Sequence, residues 1–312
     1  MKLSYIQAIR QAVANKMRED KGIIIIGQDV RHWGGSGGAF KDFYKEFGDR
    51  IIDTPISEAA TTNIAIGAAM CGLRPIVEFT FFDFILHAMD PVINQAAKIK
   101  FISANQFKVP IVLRAVIHSG RGYGATHCQS LESLFVQIPG LKVVYPSNPN
   151  DAMALMKSAL EEEEDPVIFI EHRLLYSLEE DVSDKKIKIG KAEVKKEGDK
   201  ITLITYGRMV HLALEAAKDG IEVIDLRSLQ PLDIETIGKS VEKTGRVIFL
   251  EEGYGYIGAE VSAQICERFY KYLKLPIKRI YTKRIPHPFS KELEEKIIPN
   301  KELLIKEINS ML

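Results

Sequence analysis

The chain has 312 residues, and its 42 Lys and Arg balance 42 Asp and Glu, so the net charge is zero. That balance argues against an electrostatic nucleic-acid or membrane partner, and no apolar run approaches the roughly 20 residues a membrane helix needs. Hydrophobic residues make up 46% and charged residues 27%, which suits a globular chain with a sizeable core and a length nearer two domains than one. The three cysteines, Cys71, Cys128 and Cys266, are far apart and form no CxxC. This points away from disulfides or zinc and towards a reducing compartment, the cytoplasm.

Residues 1–20, MKLSYIQAIRQAVANKMRED, place Leu3, Ile6, Ile9, Val13 and Met17 at helical spacing and lack the apolar core of a signal peptide. Short β-branched runs then alternate with helical stretches. GIIIIG (22–27), PIVEFTF (75–81), VPIVLRAV (109–116), LKVVYP (141–146) and PVIFIE (166–171) read as buried strands of a parallel sheet. EAATTNIAIGAAMCG, FILHAMDPVINQAAKIKFIS, SLESLFVQI and NPNDAMALMKSALEEEE read as the helices between them. Residues 173–199 are charged and read as a linker with a solvated edge. Alternation resumes with ITLITYG (201–207), HLALEAAKDG, IEVIDLRSLQPLD, VIFLEE (247–252) and a helix over 258–273. The expected fold is α/β in two domains, 1–185 and 186–312, with the boundary near 180–195.

Two glycine clusters invite a nucleotide reading. Gly253, Gly255 and Gly258 fit GxGxxG between a strand and a helix. A dinucleotide site also needs an acid at the end of the next strand, and LPIKRIYTKRIPHP has none. A turn of cheap backbone geometry is the stronger reading. HSGRGYGATHCQS (118–130) lacks the Lys-Ser/Thr ending of a phosphate loop and reads as a flexible loop carrying side chains to a cleft.

In IIDTPISEAATTNIAIGAAM (51–70) one acid, Glu58, stands where an apolar strand hands over to an apolar helix. It would serve the helix dipole there, beside a Ser57 or Thr54 cap. No other charge follows until Arg74. Among Ile, Ala and Gly the anion is penalised, and such an acid suits sharing a proton with a basic ring nitrogen.

TPISEAATTNIAIGAAMCGLRPIVEFTFFDF, DPVINQAAKIKFISANQFKVPIVLRA, GATHCQSLESLF, PGLKVVYPSNPNDAMALMKSAL and DPVIFIEHRLLY closely resemble one family. It is the β subunits of the thiamine-diphosphate-dependent 2-oxo-acid dehydrogenases, the pyruvate, branched-chain and acetoin dehydrogenase group. TYGRMVHLALEAA, IEVIDLRSLQPLD, GAEVSAQICERFYKYLKLPIKRI and IPHPFS extend the resemblance over nearly the whole chain. It implies an N-terminal parallel-sheet, thiamine-pyrimidine-binding domain and a C-terminal transketolase-type α/β domain. By the same resemblance Glu58 faces the cofactor's aminopyrimidine and gives a proton to the ring nitrogen opposite the amino group. Phe84, with Phe82, packs against that ring, while Phe81 is left to the core. His127 stands near the reactive carbon and donates a proton during acyl transfer to a lipoyl disulfide, with Gln129 and Ser130 as polar support. Cys128 is not expected to pair with it, since neighbours on an extended chain point to opposite sides. His172 is expected to make strand-end hydrogen bonds, and His87 and His211 to be core or interface residues. Some members bind a structural potassium ion through backbone oxygens, here those of Ile111, Ala159 and Leu160. The following turn, EEEEDP (161–166), is one residue longer than the family pattern.

The family's enzymes hold the diphosphate through a metal bound by a GDG motif with a downstream Asn. This chain has no GDG, only Gly-Asp-Lys at 198–200. The resemblance therefore implies a separate α subunit that holds Mg2+ and the diphosphate, with Glu58 supplied from this side of the interface. Gly67, Ala68, Cys71 and Gly72 suit either a β–β contact in an α2β2 assembly or tight packing inside the domain. The implied activity is oxidative decarboxylation of a 2-oxo acid, pyruvate or branched-chain, with acyl transfer to a lipoyl-bearing acyltransferase. The alternatives are an acetoin dehydrogenase β subunit, the C-terminal half of a split transketolase, in which Arg121 would meet a sugar phosphate, and a non-catalytic nucleotide-binding module built on GYGYIG.

Overall fold

The computed structural model describes residues 1–161 and 163–312. Its strands are β1 (Lys2–Ser4), β2 (Ile23–Gly27), β3 (Ile51–Asp53), β4 (Arg74–Phe79), β5 (Val112–Ile117), β6 (Lys142–Val144), β7 (Val167–His172), β8 (Glu179–Asp181), β9 (Glu193–Lys196), β10 (Ile201–Thr205), β11 (Ile221–Asp225), β12 (Ser228–Gln230), β13 (Val247–Leu250) and β14 (Lys278–Ile280). The α-helices are α1 (Tyr5–Glu19), α2 (Phe43–Phe47), α3 (Glu58–Met70), α4 (Ala97–Ile102), α5 (Ser133–Val136), α6 (Pro149–Glu161), α7 (Met209–Ala216), α8 (Ile234–Thr244), α9 (Tyr256–Phe269), α10 (Lys291–Glu295) and α11 (Lys301–Met311).

The first sheet has seven strands in the order β12-β6-β7-β5-β4-β2-β3. All its pairs are parallel except β12 with β6. Such strands are covered on both faces, which is why they read as unbroken Ile and Val runs. One face is covered by α1 packed on α6. Helix α1 starts in a reciprocal cap: Ser4 Oγ accepts from Gln7 N, and Gln7 Oε1 accepts from Ser4 N. The other face takes α3 and the segment 82–97. The sequence predicts one helix over 84–103. The segment runs instead as a 3-10 turn (Phe82–Ala88), a wide π turn (Pro91–Ala96) and then α4. Pro91 has no N–H for the helical ladder, and its ring crowds the preceding turn.

The second sheet has five strands in the order β14-β13-β10-β11-β9 and is parallel apart from β9 at its edge. The charged stretch 173–199 supplies β9 and also β8, which pairs with β1. Strand β14 and helices α10 and α11, which the sequence reading left unassigned, complete the chain. The halves are not separate bodies. Strand β12 leaves the second half to close the edge of the first sheet at β6. One buried cluster holds Leu131, Phe135 and Tyr145 together with Tyr206, Leu229, Phe249 and Ile257. No helix among the described residues is long and apolar enough to cross a membrane.

At the centre of the first sheet lies a fully buried cation. Arg114 on β5 donates through Nη1 to Glu78 Oε1 on β4 (2.6 Å) and through Nη2 to Glu171 Oε2 on β7 (2.8 Å) and to the Tyr176 hydroxyl (2.9 Å). Its Nε pairs with Glu171 Oε1. Arg114→Met would leave two buried carboxylates uncompensated, and we expect it to lower the unfolding free energy by about 3–5 kcal/mol in urea denaturation.

Candidate active site

Three parallel strands end at one crevice. Gly27 ends β2 and Gln28 follows it, Thr54–Glu58 follow β3, and Phe79 ends β4 with Thr80 after it. The chain passes from β2 to β3 on one side and returns to β4 on the other, so this is a switch point, where open α/β sheets bind ligands. Glu78 forms part of the wall, held by Arg114 and by the Ser36 N–H (2.6 Å). Glu58 is the first residue of α3 and is half-buried. It has no hydrogen-bond partner among the described residues. Ser57 stands at the cap position without capping, and Thr54 Oγ1 instead accepts from Thr61 Oγ1 (3.1 Å). The Glu58 carboxyl is therefore free to meet a group from outside.

Beyond the crevice lining, the chain after β4 forms an aromatic cluster with the loop 118–130. Phe84 and Phe81 meet edge to face, with ring centres 5.3 Å apart, and His127 stands against both, 5.2 and 4.9 Å away. Phe81 also touches His118 (4.5 Å) and Tyr123 (6.2 Å). Phe82 does not belong here. It is 0% exposed and packs on Phe135 in the core, so it presents no face to a ligand. Of the adjacent pair in FTFFDF, Phe82 turns inward and Phe81 faces the His118 and His127 rings. Gln129 is tied to Asp83, whose Oδ1 accepts from both its backbone N (3.2 Å) and its Nε2 (2.8 Å). Asp83 Oδ2 is buried with no partner among the described residues, and burial pushes this carboxyl up. Ser130 Oγ is likewise buried and unpaired among the described residues. His87, expected in the core or an interface, is exposed beside Phe84.

The loop 118–130 explains which of its groups can react. Cys128 is buried, and burial, with the Glu294 carboxylate behind it, pushes its thiol up to about 12. That makes it a poor nucleophile, while His127 beside it faces the aromatic cluster. Thr126 Oγ1 lies 2.9 Å from His127 Nδ1, which leaves Nε2 as the nitrogen open to proton transfer. His118 is buried with Nδ1 3.2 Å from the Val116 carbonyl, and burial lowers it to about 4, so it is neutral near pH 7.

Behind this loop the two halves meet through acids that the sequence reading did not single out. Tyr206 gives its single hydroxyl proton to Glu132 Oε1 (2.7 Å) and Glu251 Oε2 (3.1 Å). Burial pushes Glu132 from the usual 4.5 up to about 7. His172 Nε2 lies 3.2 Å from Glu252 Oε2, and Arg208 grips the same carboxylate (2.6 Å). Burial alone would push Glu252 up, but Arg208 and His172 overcome that and hold it well below the usual carboxylate range. His211 bonds the Ser147 carbonyl (2.7 Å), so it too is an interface residue between the halves. The GYGYIG turn is occupied by its own chain: Glu251 Oε1 accepts from Gly258 N (2.9 Å) at the start of α9. A phosphate would find that position filled.

Of the three residues suggested for a potassium ion, Ile111 spends its carbonyl on Val167 N (2.9 Å), and Ala159 and Leu160 are buried in the last turn of α6. The turn that would close such a site contains Glu162, which lies outside the described residues. Among the described residues no group of three or more His, Cys, Asp or Glu could hold a metal ion. A larger apolar groove, about 720 Å3, runs between α5, β12 and α9, but Glu58, Phe84 and His127 do not line it. The crevice thus fits one half of thiamine diphosphate. It offers an unpaired carboxyl for a ring nitrogen, while none of the described residues lining it is a lysine or arginine for a diphosphate.

Residues 1–179 match the transketolase pyrimidine-binding domain and residues 190–304 the transketolase C-terminal domain. The chain is 44% identical to the 2-oxoisovalerate dehydrogenase subunit beta of Bacillus subtilis (strain 168), over 96% of this chain and 95% of that protein. It is 42% identical to the pyruvate dehydrogenase E1 component subunit beta of Chaetosphaeridium globosum, over 98% and 97%. It is 41% identical to the acetoin:2,6-dichlorophenolindophenol oxidoreductase subunit beta of Cupriavidus necator, over 96% and 94%. A solved structure described as a split-gene transketolase, an inactive β4 tetramer, shares the fold with a TM-score of 0.82, covering 99% of this chain and 98% of that one at 24% identity.

The Glu132 shift has a definite sign. The folded chain keeps this proton to about pH 7, whereas the unfolded chain sheds it near 4.5. Stability therefore falls as pH rises through that window. We expect Glu132→Gln, which keeps a partner for Tyr206, to flatten this dependence. The check is the urea midpoint at pH 5 and pH 8: the variant should gain on the wild type at the higher pH.

Proposed function

The chain belongs to the family of β subunits of 2-oxo-acid and acetoin dehydrogenase first components, and on that basis we propose that it supplies the proton-handling half of a thiamine-diphosphate site for oxidative decarboxylation of a 2-oxo acid, pyruvate or a branched-chain homologue. The observation that carries this reading is the unpaired, half-buried carboxyl of Glu58 at the carboxyl edge of the sheet. When bound, thiamine diphosphate supplies a carbon that attacks the keto group and takes up the electrons left when carbon dioxide departs.

This chain's residues do the rest of the work on their side. Glu58 holds a proton against the pyrimidine nitrogen opposite the amino group, a role open to it because its carboxyl has no other partner among the described residues. Phe84 and Phe81 give flat apolar faces that suit a heterocycle and keep water away. His127, steadied at Nδ1 by Thr126, offers Nε2 to protonate the lipoyl sulfur released when the acyl group is taken up. Gln129, pinned to Asp83, fixes the end of that loop.

An α subunit would complete the site by holding Mg2+ and the diphosphate. Exposed apolar side chains support this: Ile56 in the crevice lining is 71% exposed, and Trp33, the single tryptophan, is 74% exposed. Along α3, Ala60, Ile64, Gly67 and Cys71 form an exposed uncharged face, and a side chain at Gly67 would meet open space. The small residues do not pack inside the domain there, so we assign this face to the second β subunit of an α2β2 assembly. A lipoyl-bearing acyltransferase is the acyl acceptor. All three cysteines are free, as suits the cytoplasm.

Glu58→Gln should leave folding and assembly intact and lower decarboxylation, measured with the partner chain and thiamine diphosphate, by about 100-fold or more. Full activity in that variant would remove Glu58 from the chemistry. Ile64→Asp should leave the thermal midpoint of the isolated chain unchanged while reducing the assembled fraction in sedimentation velocity.

A further inference from the structure

We propose that Glu294, in the C-terminal half, is a positioning residue for the loop that carries His127, so that the second half sets the geometry of acyl transfer. This rests on the reading of His127 given above. Glu294 is fully buried in α10. Its Oε2 accepts from the backbone N–H of Gly122 (2.7 Å), and its Oε1 is bound by His287 Nδ1 (2.8 Å). The imidazole thus aims the carboxylate, and the carboxylate holds the loop. His287 is 3% exposed, and its Nε2 has no partner among the described residues, so one of its nitrogens is committed to Glu294 and the other to nothing.

The loop is shaped for this contact. Gly122 has φ +71°, and a Cβ there would fall 2.8 Å from the Phe289 carbonyl oxygen. Gly124 has φ +84°, and its Cβ would fall 2.4 Å from Phe289 Cε1. Both positions need glycine because the 287–294 segment presses directly on the loop backbone. From Gly124 the path to His127 is one hydrogen bond, His127 N to Gly124 O at 3.3 Å. Beyond His127 the loop is fixed in the first half by Asp83 through Gln129. His127 therefore sits between two anchors, one in each half of the chain. Releasing Gly122 frees the stretch before it without disturbing Glu58 or the crevice.

The test uses the assembled enzyme with its partner chain, thiamine diphosphate, Mg2+ and the 2-oxo acid, pyruvate or 2-oxoisovalerate, that the wild type turns over faster. Two rates are compared. Oxidation with dichlorophenolindophenol as electron acceptor bypasses acyl transfer, whereas reductive acylation of a lipoyl domain requires it. We expect Glu294→Ala to lower the lipoyl rate about tenfold or more and the dye rate less than about twofold, the split expected of His127→Ala, while Glu294→Gln, which keeps an acceptor for Gly122, stays within about threefold of wild type in both. Equal losses in the two assays, or no loss in either, would overturn the inference. A split in His127→Ala without one in Glu294→Ala overturns the inference alone. No split in His127→Ala overturns the reading of His127 and the inference with it. If Glu294→Ala fails to fold, His287→Ala tests the same anchor by removing the donor that aims the carboxylate. It should show the same split, and its absence is equally decisive.

Discussion

The buried guanidinium of Arg114 is the constraint on which the first half depends. It lies on the middle strand of three and binds an acid on each neighbour, Glu78 and Glu171. Taking three charges out of water is costly unless each finds its partners in good geometry. Strands β4, β5 and β7 cannot slip without breaking those contacts, so one charge cluster holds the register of the sheet. Glu78 carries the constraint outward. It reaches the crevice wall, and its carboxylate fixes the Ser36 N–H at the glycine-rich loop after β2. Gly35 is obligatory there, with φ +69° and a Cβ position 2.8 Å from Glu78 Oε1.

The second half acts on the site from behind. It reaches the first sheet through β12, through the shared core, and through buried acids at the seam. At the seam Glu252 is satisfied by the Arg208 guanidinium with the His172 ring beside it, whereas Glu132 and Glu251 divide one tyrosine proton between them. A buried polar group left short of partners is costly. The seam therefore combines one ion cluster that favours the charged state and one carboxyl that favours the neutral state, only a few residues from the loop that carries His127.

Much of this organisation was legible in the sequence because parallel strands buried on both faces must be written as continuous Ile and Val runs. The five strands expected in the first half lie within two or three residues of those observed. Glu58 stood out for a related reason, as a lone charge in a long uncharged stretch. What escaped was whatever depends on facing. Phe81 and Phe82 are identical in type and adjacent, and only the turn after β4 decides which ring reaches the site. Pro91 was visible, but the π turn around it needed the packing of α3 and α4 to define it. The acids Glu132, Glu251 and Glu294 looked like ordinary surface charges, since a pairing across 74 or 172 residues leaves no local pattern. The remaining signal was slight: Glu251 and Glu252 directly follow an apolar strand, a poor place for solvated charge.

The turn GYGYIG illustrates how far a motif can keep its form while its purpose changes. In nucleotide sites such a turn opens a helix whose first amides await a phosphate. Here Glu251 Oε1 accepts from one of those amides, at the first turn of α9. The acceptor has become part of the polypeptide, so the second half carries an internal substitute for a ligand. It reaches its packed shape without having to wait for a small molecule to arrive.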